Sequence, residues 1–348
     1  MVAERNRRDV NKLVATVRAM MRVALLCVAF ALLAARPAAA APYLPPPGKV
    51  FDGVTAGASV GDFERRTGKR VAIWQHFVLW GGGFGYAIDD AKRIGARVML
   101  HISTAVAQNE PERVSPGAIA RGAGDDYLLR LGRGLAALGQ PSYLRFLGEM
   151  NNCHNAYAAY NCSGSRRNAD HSPSRLKQAW RRAYLILHGG PVATVDAALH
   201  KLGMPPVRTA RTELPLAQVA FVWAPMTGGS PEIHALRPAV YWPGGRWVDW
   251  VGTSFYSRFP RFAQLQTFYR DWAVKRRKPF AIGEWAMWGA DDASFPRRLF
   301  GWIRRSRRVR MVQYNQGDNP RGPFRLYRYP SATRVIRSAL ASPRFLGR

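Results

Sequence analysis

At 348 residues, 47% of them apolar and 21% charged, the chain can pack one large domain or two small ones and is too apolar to be disordered. The formal net charge is +30; residues 1–41 hold only seven Lys/Arg and two Asp/Glu, which leaves 45 basic against 20 acidic groups beyond them. The basic residues are spread along the chain without a nucleic-acid motif, so no specific nucleic-acid binding is expected. Two readings of the charge remain, an Arg-rich solvated surface or electrostatic association with acidic envelope polymers.

Residues 1–41 read as a secretory signal peptide. Thirteen apolar residues, 23–35, follow Arg18 and Arg22, and Ala38 to Ala41 supply the small residues of a cleavage site. Thirteen residues are too few to span a bilayer as a stable helix, so the processed chain is not expected to be transmembrane; an uncleaved anchor is the alternative. Met20 or Met21 would give a signal of more usual length. The expected location is therefore secreted, extracellular or in the cell envelope. Only Cys153 and Cys162 then remain, and two cysteines nine apart in an oxidising compartment read as one disulfide. A zinc site from Cys153, His154, Cys162 and His171 is the rival, with a spacing that fits no common zinc pattern.

A Pro-rich lead, 42–50, precedes a single domain over 51–343. β-like runs at 51–58, 71–77 and 97–103 alternate with a Gly-rich turn after Trp80 and a helix at 88–94. The glycine cluster 81–85 lacks the Gly-Lys-Ser/Thr ending of a phosphate loop. Tyr127, Leu128, Leu131, Leu135 and Leu138 share one helical face over 125–138. A fourth run, 143–147, closes on Glu149. The helical period returns over 174–187, and 189–217 reads as an irregular, Pro-containing insertion. Runs at 218–224 and 250–256 follow, then a helix carrying Phe262, Leu265, Tyr269 and Trp272. A seventh run ends on Glu284, a helix covers 294–303, an eighth run 309–315 and a last helix 331–340. Eight β-runs, most followed by a helix, predict an α/β fold with a single (β/α)8 TIM barrel. An open doubly wound sheet would carry a dinucleotide fingerprint after its first strand, and there is none.

Catalytic groups of such barrels sit at the carboxyl ends of strands. Beyond residue 41 there are seven Glu, and only Glu149 and Glu284 terminate apolar runs. A carboxylate in that position is costly to desolvate, so two of them on facing strands point to a functional pair. Paired carboxyls are what glycoside hydrolysis needs, one as proton donor and one as nucleophile or base, with a separation of about 5 Å in retaining enzymes. Strict alternation puts Arg145, Leu147 and Glu149 on one side of the fourth strand. Arg145 would then lie beneath the pair, keeping Glu284 ionised while Glu149 stays protonated. The alternative is that both glutamates are members of structural ion pairs. Trp80, Trp223, Tyr256, Trp285, Trp288 and Tyr314 cluster at strand ends, where flat rings stack on pyranose faces. His101 fits a core histidine or a group at the mouth. The histidines show no metal-like spacing, and neither metal nor cofactor is expected.

The stretch Leu144-Arg145-Phe146-Leu147-Gly148-Glu149-Met150-Asn151 resembles the acid/base motif of glycoside hydrolase family 26, (β/α)8 barrels best known for endo-β-mannanases. Phe221-Val222-Trp223-Ala224-Pro225, Tyr241-Trp242-Pro243-Gly244 with Val248-Asp249-Trp250-Val251-Gly252, and Ile282-Gly283-Glu284-Trp285 continue the similarity in order from about residue 60 to 316. The resemblance implies Glu149 as acid/base, Glu284 as nucleophile and a β-linked polysaccharide or oligosaccharide as substrate, mannan by family default. Arg145, Asn151, Trp223, Tyr256 and Trp285 are the expected substrate-binding residues. Gly148 stands where the family has His, Asn152 where it has Gly, and Ala286 where it has Gly. A non-catalytic glycan-binding barrel and a hydrolase of the producer's own acidic envelope polysaccharide remain alternatives.

Overall fold

The computed structural model describes residues 43–55, 60–105 and 110–348; the expected signal segment lies outside them. Eight strands alternate with helices: β1 (Val50–Thr55), β2 (Ile73–Leu79), β3 (Arg97–Ser103), β4 (Ser142–Phe146), β5 (Val219–Trp223), β6 (Trp250–Tyr256), β7 (Phe280–Ala286) and β8 (Val309–Asn315). Each pairs in parallel with the next, and β8 returns to β1 with Phe51 opposite Met311 and Thr55 opposite Asn315. The sheet is therefore a closed barrel, which leaves none of these strands with a free edge. The (β/α)8 reading of the sequence holds. Among the described residues no helix is long and apolar enough to cross a membrane.

The main helices are α1 (Val60–Thr67), α2 (Gly85–Ile94), α3 (Pro116–Ala120), α4 (Asp125–Leu138), α5 (Pro173–His188), α6 (Val192–Lys201), α7 (Phe262–Phe268), α8 (Ser294–Arg305) and α9 (Pro330–Leu340). Three were not read as helices from the sequence: α1, α3 and α6. Helix α1 buries only Phe63 and Thr67, too few apolar positions for a helical period to show. Helix α6 lies inside 189–217, where Val195 and Leu199, four apart, bury one face. The rest of that segment is fastened by a buried ion pair. Arg182 donates to both oxygens of Asp125 at 2.7 and 2.5 Å, and also to the carbonyls of Pro205 and Pro206.

Alternation along the strands divides the core in two. One layer lies between strands and helices. The other fills the lower barrel with Phe51, Ile73, Met99, Tyr143, Trp250 and Met311. Above it, toward the carboxyl ends, the inward positions turn polar: Thr55, Gln75, His101, Arg145 and Asn315. Beneath the barrel, the Tyr143 hydroxyl donates to the Tyr43 carbonyl at 2.7 Å, and Leu44 and Leu346 cover the inner core.

Candidate active site

Two local irregularities bring the carboxylates together. Strand β4 ends at Phe146, one residue earlier than the sequence reading has it. Leu147 joins the outer core layer, so alternation does not carry Glu149 inward from Arg145. A tight turn does so instead. Leu147 and Glu149 both take left-handed backbone (φ 47° and 53°), which costs a non-glycine residue about 1–2 kcal/mol each. Neighbouring strands offset that cost: Leu147 N–H donates to the Ile102 carbonyl at 3.0 Å and Glu149 N–H to the Ala224 carbonyl at 2.7 Å.

The second irregularity lies on β7. Against β6, Thr253 is opposite Ile282 and Ser254 opposite Glu284; against β8, Val312 is opposite Ile282 and Tyr314 opposite Trp285. Strand β7 thus carries one extra residue relative to both neighbours, a bulge at Gly283. Ile282 and Trp285 both belong to the outer layer, and the bulge lets Glu284 face inward between them.

Glu284 is 4% exposed. Its Oε1 pairs with Arg145 Nη1, accepts from Gln75 at 3.2 Å and lies 3.4 Å from His101 Nδ1. Its Oε2 accepts from the Tyr256 hydroxyl at 2.8 Å and from Asn315 at 3.3 Å. Burial alone would raise the Glu284 carboxyl; the Arg145 charge and the His101 and Tyr256 hydrogen bonds outweigh it and bring it down to about 2. The opposite holds for the Tyr256 phenol, which burial and then the Glu284 charge push far up, so it remains a hydrogen-bond donor. Arg145 has no solvent exposure and also donates to Ser254 Oγ at 2.8 Å, while its Nη2 lies 3.6 Å from Glu149 Oε1. One guanidinium therefore touches both carboxylates. Glu149 is the more open of the two, and its Oε2 accepts from Asn152 at 2.9 Å.

Other expected substrate contacts lie elsewhere. Trp223 is fully buried in the outer layer against Trp242 and Trp272. Trp285 packs edge-on to Phe300 and Tyr314, because the residue after an inward Glu284 must point outward. Trp80 and Tyr314 are also core residues. Asn151 is a buried pin: its amide exchanges hydrogen bonds with Met226 N–H and carbonyl and donates to the Leu236 carbonyl, tying the β4 loop to the β5 loop. Arg145 supports the carboxylates from below and offers no surface to a sugar. Only Tyr256 of the five expected substrate contacts stands at the mouth, with Trp288 and Phe324 around it at 5.9 and 5.4 Å.

Several residues at the mouth escaped the sequence reading. Gln75, Ser254 and Asn315 are uncharged and carry no motif; their signal is a polar side chain at the carboxyl end of an otherwise apolar strand. Phe77, 41% exposed and 5.1 Å from the His101 ring, is an aromatic on the inward parity of β2. Cys153 and Cys162 form the expected disulfide, which removes their sulfurs from any zinc site. His171 instead contacts Glu112 at 2.5 Å and Asn168 at 2.7 Å.

No family model matches the chain, and no curated protein matches it in sequence. Solved structures do match it in shape. Its fold is that of the family 26 glycoside hydrolases. A Bacillus subtilis mannanase superimposes with a TM-score of 0.56 at 14% identity, covering 89% of this chain and 90% of its own. A family 26 β-mannanase from Bacteroides ovatus gives 0.56 at 15% identity, covering 86% and 90%. A Cellulomonas fimi endo-β-1,4-mannanase double mutant gives 0.57 at 14%, covering 86% and 72%.

Proposed function

We propose that the protein is a secreted glycoside hydrolase that cleaves a β-linked polysaccharide by double displacement, with Glu284 as nucleophile and Glu149 as acid/base. One observation carries the reading: both carboxyls contact a single buried guanidinium at the barrel mouth, and the deeper one is held ionised. Ionised Glu284 attacks the anomeric carbon while Glu149 gives its proton to the departing glycosidic oxygen. The bond to the leaving sugar breaks as the Glu284 ester forms. Glu149, now a carboxylate, takes a proton from water, whose oxygen replaces the ester and frees Glu284. Tyr256 and Asn315 orient Glu284 Oε2 throughout. The shared fold with mannanases makes mannan the first substrate to try. The strong positive charge favours a second substrate class, the producer's own acidic envelope polysaccharide.

The test is a panel of mannans, glucans, xylans and acidic glycans assayed for new reducing ends, with the product anomer read by proton NMR. Retention of configuration is expected, and Glu284→Ala and Glu149→Ala should each lose at least 1,000-fold in turnover, about 4 kcal/mol of barrier. Inversion would overturn double displacement, persistent activity in Glu284→Ala would overturn the nucleophile, and binding without turnover would make this a glycan-binding barrel.

A further inference from the structure

Positive charge is spread through the sequence, but the fold gathers part of it on one face. Helices α8 and α9 together carry six arginines, Arg297, Arg298, Arg304, Arg305, Arg334 and Arg337, and no Asp or Glu. All six are exposed. Among the described residues none of them lies within ion-pair distance of a carboxylate, whereas most acidic side chains elsewhere are paired. Asp291 and Asp292, at the upper end of this face, bind helix amino ends, and the charges of Arg334 and Arg297 act on them as well. Asp291 accepts from Ser331 and Ala332 N–H at 2.8 Å, and Asp292 accepts from Ser294 N–H at 2.7 Å.

The two helices enclose a groove of about 480 Å³. Arg297 and Arg304 stand on one wall, Arg334 on the other, over a floor that includes the buried residues Phe300 and Ala339. Arg297 and Arg304 are seven residues apart, so they share a helix face about 10.5 Å apart along the axis. The amino ends of α8 and α9 follow β7 and β8, so the groove starts at the rim of the catalytic face and runs down the barrel wall.

We propose that this groove is a docking site for a linear anionic polysaccharide, separate from the catalytic cleft. Three guanidiniums over a narrow floor fit a ribbon-like chain whose carboxylates recur at wide intervals, as when alternate sugars are acidic. Guanidinium–carboxylate pairing supplies the directional contacts. Nucleic acid fits less well. Duplex DNA presents a charge every 1.7 Å or so of its axis, far denser than the arginine spacing, and single strands need exposed rings to stack their bases. The aromatic residue of the groove, Phe300, is buried at 1% exposure. Docking here would retain the protein on an acidic polymer and leave the cleft open.

The test is equilibrium binding of the full processed chain to hyaluronan, a β-linked glycan with one carboxylate per disaccharide, alongside neutral mannan and random-sequence duplex DNA, at 50 and 200 mM salt. Hyaluronan should bind at low salt and release at high salt. The triple variant Arg297→Glu/Arg304→Glu/Arg334→Glu should lose at least tenfold in affinity at 50 mM salt, and what binding remains should depend less on salt. Arg304→Gln alone, the milder change, should lose part of the affinity with an unaltered circular dichroism spectrum. A charge-matched control, Arg133→Glu/Arg211→Glu/Arg237→Glu, should bind nearly as the parent does. An equal loss in the control would reduce the effect to net charge. Tighter binding to DNA than to hyaluronan, or no hyaluronan binding at all, would also overturn the proposal. Because the readout is binding, it stands or falls independently of whether Glu284 supports turnover.

Discussion

Gly148 shows how a missing side chain can organise a site. A Cβ there would lie 2.8 Å from Arg145 Nε and 3.0 Å from His101 Nε2, closer than packed atoms tolerate. Only a glycine lets the guanidinium lie under the turn, and that placement holds Glu284 ionised. Gly148→Ala should therefore push Arg145 off Glu284, leaving burial to raise its carboxyl, so the acid limb of kcat/KM moves to higher pH and its plateau falls about tenfold or more. Arg145→Met should move the limb in the same direction and further. An acid limb that stays put in both variants would remove Arg145 from control of Glu284. At this scale the sequence was informative about charge and silent about neutral groups. Glu149, Glu284, Arg145 and Tyr256 stand out as a strand-end acid, a second one, an inward cation and an adjacent ring. Gln75, Ser254 and Asn315 do not, because a neutral amide or hydroxyl is unremarkable until the barrel closes around it.

Among the elements, position in the chain was legible and departures from regularity were not. Each β-run became a strand, because four to seven apolar residues between turn signals have few other fates. The one mark of the extra residue that turns Glu284 inward is Gly283 itself, a glycine inside an otherwise apolar run, and it does not say which way Glu284 then faces; Trp285, beside it in sequence, faces the opposite layer. Likewise the end of β4 at Phe146 depends on the Ile102 carbonyl, on β3, and the Ala224 carbonyl, just past β5. The loop after Glu149 is fastened by the Cys153–Cys162 disulfide and by Asn155, whose amide donates to the Glu149 carbonyl at 2.8 Å. Replacing both cysteines by serine should cost roughly 2–3 kcal/mol by the loop-entropy model. The expected signs are a melting midpoint several degrees lower and reduced kcat, read by calorimetry and by initial rates. A variant as stable as the parent would show that the loop is held by its hydrogen bonds alone.

For the whole molecule, charge and pH act together. The carboxyls of Glu284 and Asp170 are both lowered to about 2; in Asp170 the Arg121 hydrogen bond is the main cause. A carboxyl with a depressed folded-state pKa binds fewer protons folded than unfolded, so its stabilising effect is full above the unfolded value. It is lost as pH falls from about 4.5 toward 2. The same protonation strips negative charge from a chain already strongly positive, adding self-repulsion. Urea midpoints should therefore hold steady from pH 7 to 5, then drop steeply below about 4. Added salt should recover part of the loss by screening. A midpoint unchanged at pH 2.5 would contradict this linkage.

Residues 43–44 and 345–348 meet under the barrel. Tyr43 and Leu44 seal the inner core there, the strand Phe345–Leu346 adds to β1, and Arg348 pairs with Glu64 beside them. The carboxylates open on the opposite side, at the far ends of the same strands. Coupled to a bead through a side chain on that underside, the protein would hold its mouth outward, facing whatever polymer lies beyond the point of attachment.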